Sequence, residues 1–219
     1  MAMNKKKVIK LNKEALKEKY KDEKVLCVNN CDLKSLKNPH KDYVHSLLKA
    51  IKKHGYFNYR YEAEQDYAAK QVIPYVVLRC GDKYFVTQRI KGDSRLVGSL
   101  SIAVGGHVNP CDVVDESNLD YPKLIVDTCM VRELEEETTI DFTKVVNKEY
   151  VTTFIDTRSD VSKVHVCLLV VIDLEDTNVE IKETDKLVGK WLNPQEVIDN
   201  YDKLEGWSQI AVDLLNIHG

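Results

Sequence analysis

The chain has 219 residues, long enough to bury a substantial core, and that length suits one domain with an accessory segment better than two independent domains. Its 32 basic residues are dispersed among 35 acidic ones for a net charge of −3, so no strong field for a phosphate backbone exists and nucleic acid is not expected as a partner. Cys27, Cys31, Cys80, Cys111, Cys129 and Cys167 are scattered as reduced cytosolic thiols would be, and the one close pair, Cys27 and Cys31, has no second Cys/His pair nearby at zinc-site spacing.

The amino terminus, Met1 to Lys7, is charged but leads into no apolar core of the kind a signal peptide needs. The longest apolar run, Val164 to Ile172, is too short to cross a bilayer as a helix, so a soluble cytoplasmic protein is expected. Residues Val8 to Tyr20 suit a short surface helix or a charged lead-in, and Val25 to Val28 read as a strand. Between Asp42 and His54, Val44, Leu47, Leu48 and Ile51 recur at helical spacing and Gly55 follows, which predicts an amphipathic helix. Tyr56 to Tyr61 contains Tyr56, Phe57, Tyr59 and Tyr61; such a patch packs an accessory segment onto a main domain, placed to line an edge of a site or a dimer contact. Residues 1–70 are accordingly read as an accessory segment and 71–219 as the main domain.

From Ile73 the texture is that of strands: Pro74 to Arg79 and Tyr84 to Arg89 form a hairpin about Gly81-Asp82, and a polar loop, Lys91 to Arg95, leads to a strand ending at Gly105-Gly106. Asp120 and Pro122 suit a helix start, so a helix is predicted from Pro122 to Thr138. A second hairpin is expected from Tyr150 to Asp156 and Ser162 to Ile172, then a strand from Lys186 to Leu192, a helix starting at Asn193-Pro194, and a terminal helix from Gly206 to Ile217.

The informative stretch runs from Ser101 to Ile140. On a helix, Glu133, Glu136 and Glu137 stand at i, i+3 and i+4 and project from one face. A charge run is usually a solvated face. Three mutually repelling carboxylates beside a single Arg132 are nevertheless costly for a plain surface helix and sensible for one that holds a hard divalent cation, and the upstream Gly105-Gly106 pair lets backbone come close to a neighbour or ligand.

Together these residues resemble the Nudix box of the Nudix hydrolases: a glycine, five residues, a glutamate, seven residues, then Arg-Glu-apolar-x-Glu-Glu-x-Gly-apolar. Gly106 takes the first glycine and Asp112 the place of the first glutamate, with Asp115 or Glu116 as alternatives; an insertion from Val113 to about Tyr121 lengthens the interval before Arg132. Thr139 stands where the last glycine is expected, so the helix must end without a left-handed residue. The resemblance implies an α/β/α sandwich with a mixed sheet, here with an N-terminal α+β extension. It implies a Mg2+-dependent (or Mn2+-dependent) hydrolase that cleaves the pyrophosphate bond of a nucleoside diphosphate linked to another moiety. Glu133, Glu136 and Glu137 would hold metal, with Glu136 and Arg132 catalytic, Arg132 by orienting a glutamate. Arg89 and Arg95 are the candidates for substrate phosphates. Candidate general bases are Glu136, Asp156, Asp160 and Glu183, and His107 is assigned a structural role at the glycine turn. The alternatives are a Nudix-fold ligand sensor without hydrolysis and an isopentenyl diphosphate isomerase-like enzyme with a catalytic cysteine, although Cys111 follows the glycine turn instead of preceding it.

Overall fold

The computed structural model describes residues 5–33, 43–91, 97–118, 120–158, 162–182 and 184–218, with side chains from residue 13 onward. In chain order the elements are helix α1 (Lys5–Tyr20), strand β1 (Lys24–Asn29), helix α2 (Tyr43–His54), strand β2 (Tyr56–Tyr59), the short helix α3 (Arg60–Ala63), the long strand β3 (Ala69–Cys80) and strand β4 (Lys83–Arg89). Two-residue strands β5 (Leu100–Ser101) and β6 (Val104–Gly105) lead into the glycine turn, β6 ending on Gly105. Helix α4 (Tyr121–Glu137), strands β7 (Val145–Phe154), β8 (His165–Leu174) and β9 (Leu187–Leu192), and helices α5 (Pro194–Asp199) and α6 (Gly206–Leu214) complete the order. Arg95 and the candidate bases Asp160 and Glu183 lie outside the described residues.

β3 organises the sheet. Along one edge it pairs in parallel with β8 from Gln71↔His165 to Arg79↔Asp173, and β7 follows antiparallel on the far side of β8. Along its other edge it meets, in turn, β1, β6 and β4, all antiparallel. β4 then leaves β3 to pair with β9 and β5, while β2 extends the sheet beyond β1. The result is a mixed sheet whose N-terminal strands β1 and β2 are hydrogen-bonded into it.

Because side chains alternate along a strand, β8 feeds both faces. Val166, Leu168, Val170 and Ile172 pack with α2 and α4 through Leu47, Ile51, Ile125 and Leu134, whereas Cys167, Leu169 and Val171 pack with α5 and α6 through Val197, Ala211 and Val212. The near-continuous apolar run that the sequence shows at Val164 to Ile172 is therefore a strand covered on both faces, the middle layer of an α/β/α sandwich. No helix among the described residues is long and apolar enough to cross a membrane.

Of the two ends of α4, the first departs from expectation and the second meets it. Asp120 precedes α4 but makes no side-chain cap, because its backbone (φ −93°, ψ 14°) is not extended; its carbonyl accepts from the amides of Lys123 and Leu124 instead. At the other end α4 stops at Glu137, and Thr138 turns extended (φ −131°, ψ 165°) rather than left-handed. The Thr138 hydroxyl donates to the Leu134 carbonyl at 2.7 Å, and the Lys182 amide donates to the Glu137 carbonyl at 2.8 Å, so the last turn is satisfied without a glycine. Of the close cysteine pair, Cys27 is buried with its thiol pushed up to about 12 by burial, whereas Cys31 is exposed.

Candidate active site

Arg132 is the centre of a local network. Its Nε donates to Asp112 Oδ1 at 2.8 Å and its Nη2 to Asp112 Oδ2 at 3.0 Å, a two-point contact only a planar guanidinium makes. Nη2 also donates to the His107 carbonyl at 2.9 Å and to Asn109 Oδ1 at 3.2 Å. Nη1 donates to Glu133 Oε1 at 2.7 Å and reaches Glu136 Oε2 at 3.5 Å. Asp112, 1 % exposed, closes the turn by accepting from the Asn109 amide at 2.7 Å, and these bonds hold the Arg132 guanidinium still more firmly protonated. Of the three acids that could have taken this place, Asp112 is the one that pairs with Arg132; Asp115 instead accepts from Ser117, and Glu116 is exposed.

The glycine turn is set against this helix. A Cβ placed on Gly106 would stand 1.8 Å from the Glu133 carboxyl carbon, and one on Gly105 would stand 2.9 Å from the Tyr75 ring. Neither glycine has a positive φ, so both serve close approach. Burial pushes the Glu133 carboxyl above its ordinary range against the opposing pull of Arg132, with Glu136 and Asp112 adding to the rise.

Glu133 and Glu137 line a cleft of about 1030 Å³ together with Gly105, Gly106 and His107. Glu136 is not among the residues that line it; its side chain is 59 % exposed. Arg89 lines the cleft, as do Arg158, Lys203 and, from the N-terminal segment, Arg60 and Glu23. Arg60 Nη1 bonds both Glu23 oxygens at 3.0 and 3.2 Å. The aromatic patch does not reach the cleft: Tyr59 stacks on Tyr61 at 5.3 Å, with Lys13 and Lys17 of α1 over Tyr61. Of the two places expected for Tyr56, Phe57, Tyr59 and Tyr61, the edge of the site is thus corrected: Tyr61 lies under Lys13 and Lys17, Tyr59 under Lys24 and Phe57 against the core, while Arg60 among them lines the cleft. Cys111 is exposed and also lies outside the cleft lining.

Three further carboxylates, Asp156, Asp202 and Glu205, line the cleft from the C-terminal half. Burial would raise Asp156, but three bonds from Arg158 outweigh it and hold the carboxyl below its usual range. Glu205 Oε1 accepts from the hydroxyls of Tyr75 and Ser101, each at 2.8 Å. Glu205, Arg60, Arg158 and His165 carry no local sequence signal; only a fold brings them beside the box.

A family model described as NUDIX domain matches residues 70–214. The chain therefore belongs to the NUDIX family. Among similar proteins, Protein YmaB of Bacillus subtilis (strain 168) is 38% identical over 164 residues, which cover 71% of this chain and 76% of that one. The crystal structure of Tm1382, a putative Nudix hydrolase, superposes with a TM-score of 0.72 at 26% identity, over 88% of this chain and 98% of that one.

Two outcomes are expected. Gly106→Ala leaves the fold in place, since the atom its Cβ meets is the end of a flexible side chain, but displaces Glu133; thermal melting close to wild type together with weakened divalent-cation binding by calorimetry checks this. His107 is held well below its ordinary value by burial and then by Arg60, His165 and Arg132. The unfolded chain, with a His near about 6.5, then binds a proton the folded one refuses, so stability falls as pH drops below that value. Urea midpoints measured at pH 7 and pH 5 with a chelator present should fall less for His107→Gln than for wild type.

Proposed function

We propose that this protein is a Mg2+-dependent hydrolase, with Mn2+ as a substitute, that cleaves the pyrophosphate bond of a nucleoside diphosphate linked to another moiety. The observation that carries the reading is the joint presence, in one cleft, of box acids beside a glycine turn and of guanidiniums from separate parts of the chain.

The acids fit a hard cation. Glu133, Glu136 and Glu137 share one face of α4, and the Gly106 position leaves room for the Glu133 carboxylate where any side chain would exclude it. These three would hold the ion, which when bound screens phosphoryl charge and acidifies a water. Arg132 keeps Glu133 in place by its bond from Nη1 and is itself anchored by Asp112, so it acts as a positioning residue. Arg89 is the guanidinium in the cleft best suited to engage phosphate oxygens at two points, and Arg60 and Arg158 add positive charge there while bonded to Glu23 and Asp156. Of the cleft carboxylates suited to accept a proton from water, Asp156 is bonded by Arg158 and Glu205 by the hydroxyls of Tyr75 and Ser101, so Asp202 and the box acids stand beside them as candidates.

Phosphate freed by an added phosphatase from the monophosphate products, measured over nucleotide sugars, dinucleoside polyphosphates, ADP-ribose and oxidised nucleotides that the phosphatase alone leaves intact, tests the substrate class. Glu133→Gln should bring divalent-cation-dependent turnover of the best substrate to background in a folded protein, and Arg132→Lys should lower cation affinity or turnover by about 10- to 100-fold. Wild-type turnover in Glu133→Gln would refute the assignment of the box acids.

A further inference from the structure

Beside the box, the cleft carries a second set of groups of a different kind. Glu64 follows α3 in the N-terminal segment, His107 follows Gly106, and His165 begins β8; one ligand atom from each lies within 4.8 Å of the others. The two imidazoles face each other, Nε2 to Nε2, at 3.3 Å, with the rings at 67°. As a hydrogen bond that distance is longer than the usual 2.9–3.0 Å or so. As a ligand pair it is apt: two nitrogens bound tetrahedrally at about 2.0–2.1 Å from one ion stand about 3.3 Å apart.

The backbone of His107 is fixed through its carbonyl, which accepts from Arg132, and the His165 ring packs edge-on against Trp207 at 6.2 Å. His107 is kept neutral by its burial, which leaves a ring nitrogen able to offer a lone pair. The cations nearest to it are offset: Arg60 by Glu23, and Arg132 by Asp112 and Glu133. Glu64 touches Arg60 only at 3.5 Å, so a carboxylate oxygen can turn to the histidines without breaking a short bond.

We propose that Glu64, His107 and His165 form a binding site for a borderline divalent cation such as Zn2+, separate from the hard-cation acids of α4. Two imidazoles and one carboxylate favour zinc, cobalt or nickel over magnesium. Three protein ligands leave a fourth position, and because His107 and His165 line the cleft, that position opens toward the ligand space, where water or a phosphate oxygen can fill it. The site would also tie the N-terminal segment to β8 and the glycine turn, a link independent of whether the box hydrolyses anything.

The test uses the full chain and Co2+ as the probe, titrated in excess Mg2+ and followed by visible absorption. One equivalent of Co2+ should give the bands of a tetrahedral nitrogen and oxygen site, and Zn2+ should remove them. His107→Gln and His165→Gln should abolish the bands, and Glu64→Gln should weaken binding by about 10-fold or more. Absence of such bands in wild type, or bands unchanged in these variants, overturns the proposal. Should the histidine variants fail to fold by circular dichroism, Glu64→Gln decides alone, and unaltered Co2+ affinity in it counts as refutation. The readout is metal binding, so a failure of the hydrolase reading would leave it untouched.

Discussion

The contact between Arg132 and Asp112 is the constraint on which the rest of the site depends. A guanidinium 23 % exposed is held at two points by a carboxylate that is 1 % exposed, and the same guanidinium reaches the His107 carbonyl, Asn109, Glu133 and Glu136. Removing one partner of such a pair commonly costs about 3–5 kcal/mol, because the other charge is left buried and unpaired. Here the geometry meets that demand, since the remaining donors of Arg132 and the second oxygen of Asp112 are also bonded. The consequence is positional: the glycine turn, the short turn at Pro110–Asp112 and the acid face of α4 are fastened to one planar group.

That fastening extends into the N-terminal segment. Asn109, which bonds Arg132, donates through its amide to the Lys24 carbonyl at 2.7 Å, and the Leu26 amide donates to the Val108 carbonyl at 2.8 Å. β1 therefore packs beside the glycine turn while it pairs with β3, and Glu23 and Arg60 arrive at the cleft by the same route. The segment that precedes the matched NUDIX region is thus built into the sheet and contributes polar groups to the cleft wall.

The elements with strong periodicity were legible from the residues. The apolar spacing of α2, the hairpin about Gly81 and the run at β8 all follow from local rules, and Gly81 does take a positive φ of 58°. What local rules could not choose was the partner of Arg132. Asp112, Asp115 and Glu116 are near neighbours in sequence, and only burial of Asp112 beneath the turn distinguishes it. Arg60, Glu205 and His165 were invisible for a related reason: each is an ordinary residue in its own segment, and its role depends on which strands pair. The aromatic run is absent from the site edge because composition shows that rings must pack somewhere but not on which side: Lys13 and Lys17 lie over Tyr61, Lys24 lies over Tyr59, and Phe57 packs on the core.

The central claim is that the Arg132 network sets box acids where a divalent cation and a phosphate can meet. Diffraction at the manganese edge from crystals grown with Mn2+ and a nucleoside diphosphate derivative tests it most directly. The account predicts an anomalous peak in coordination contact with carboxylates from Glu133, Glu136 and Glu137, with the two bonds from Arg132 to Asp112 retained. Manganese bound elsewhere in an enzyme that turns over, with the acid face of α4 bare, would contradict it.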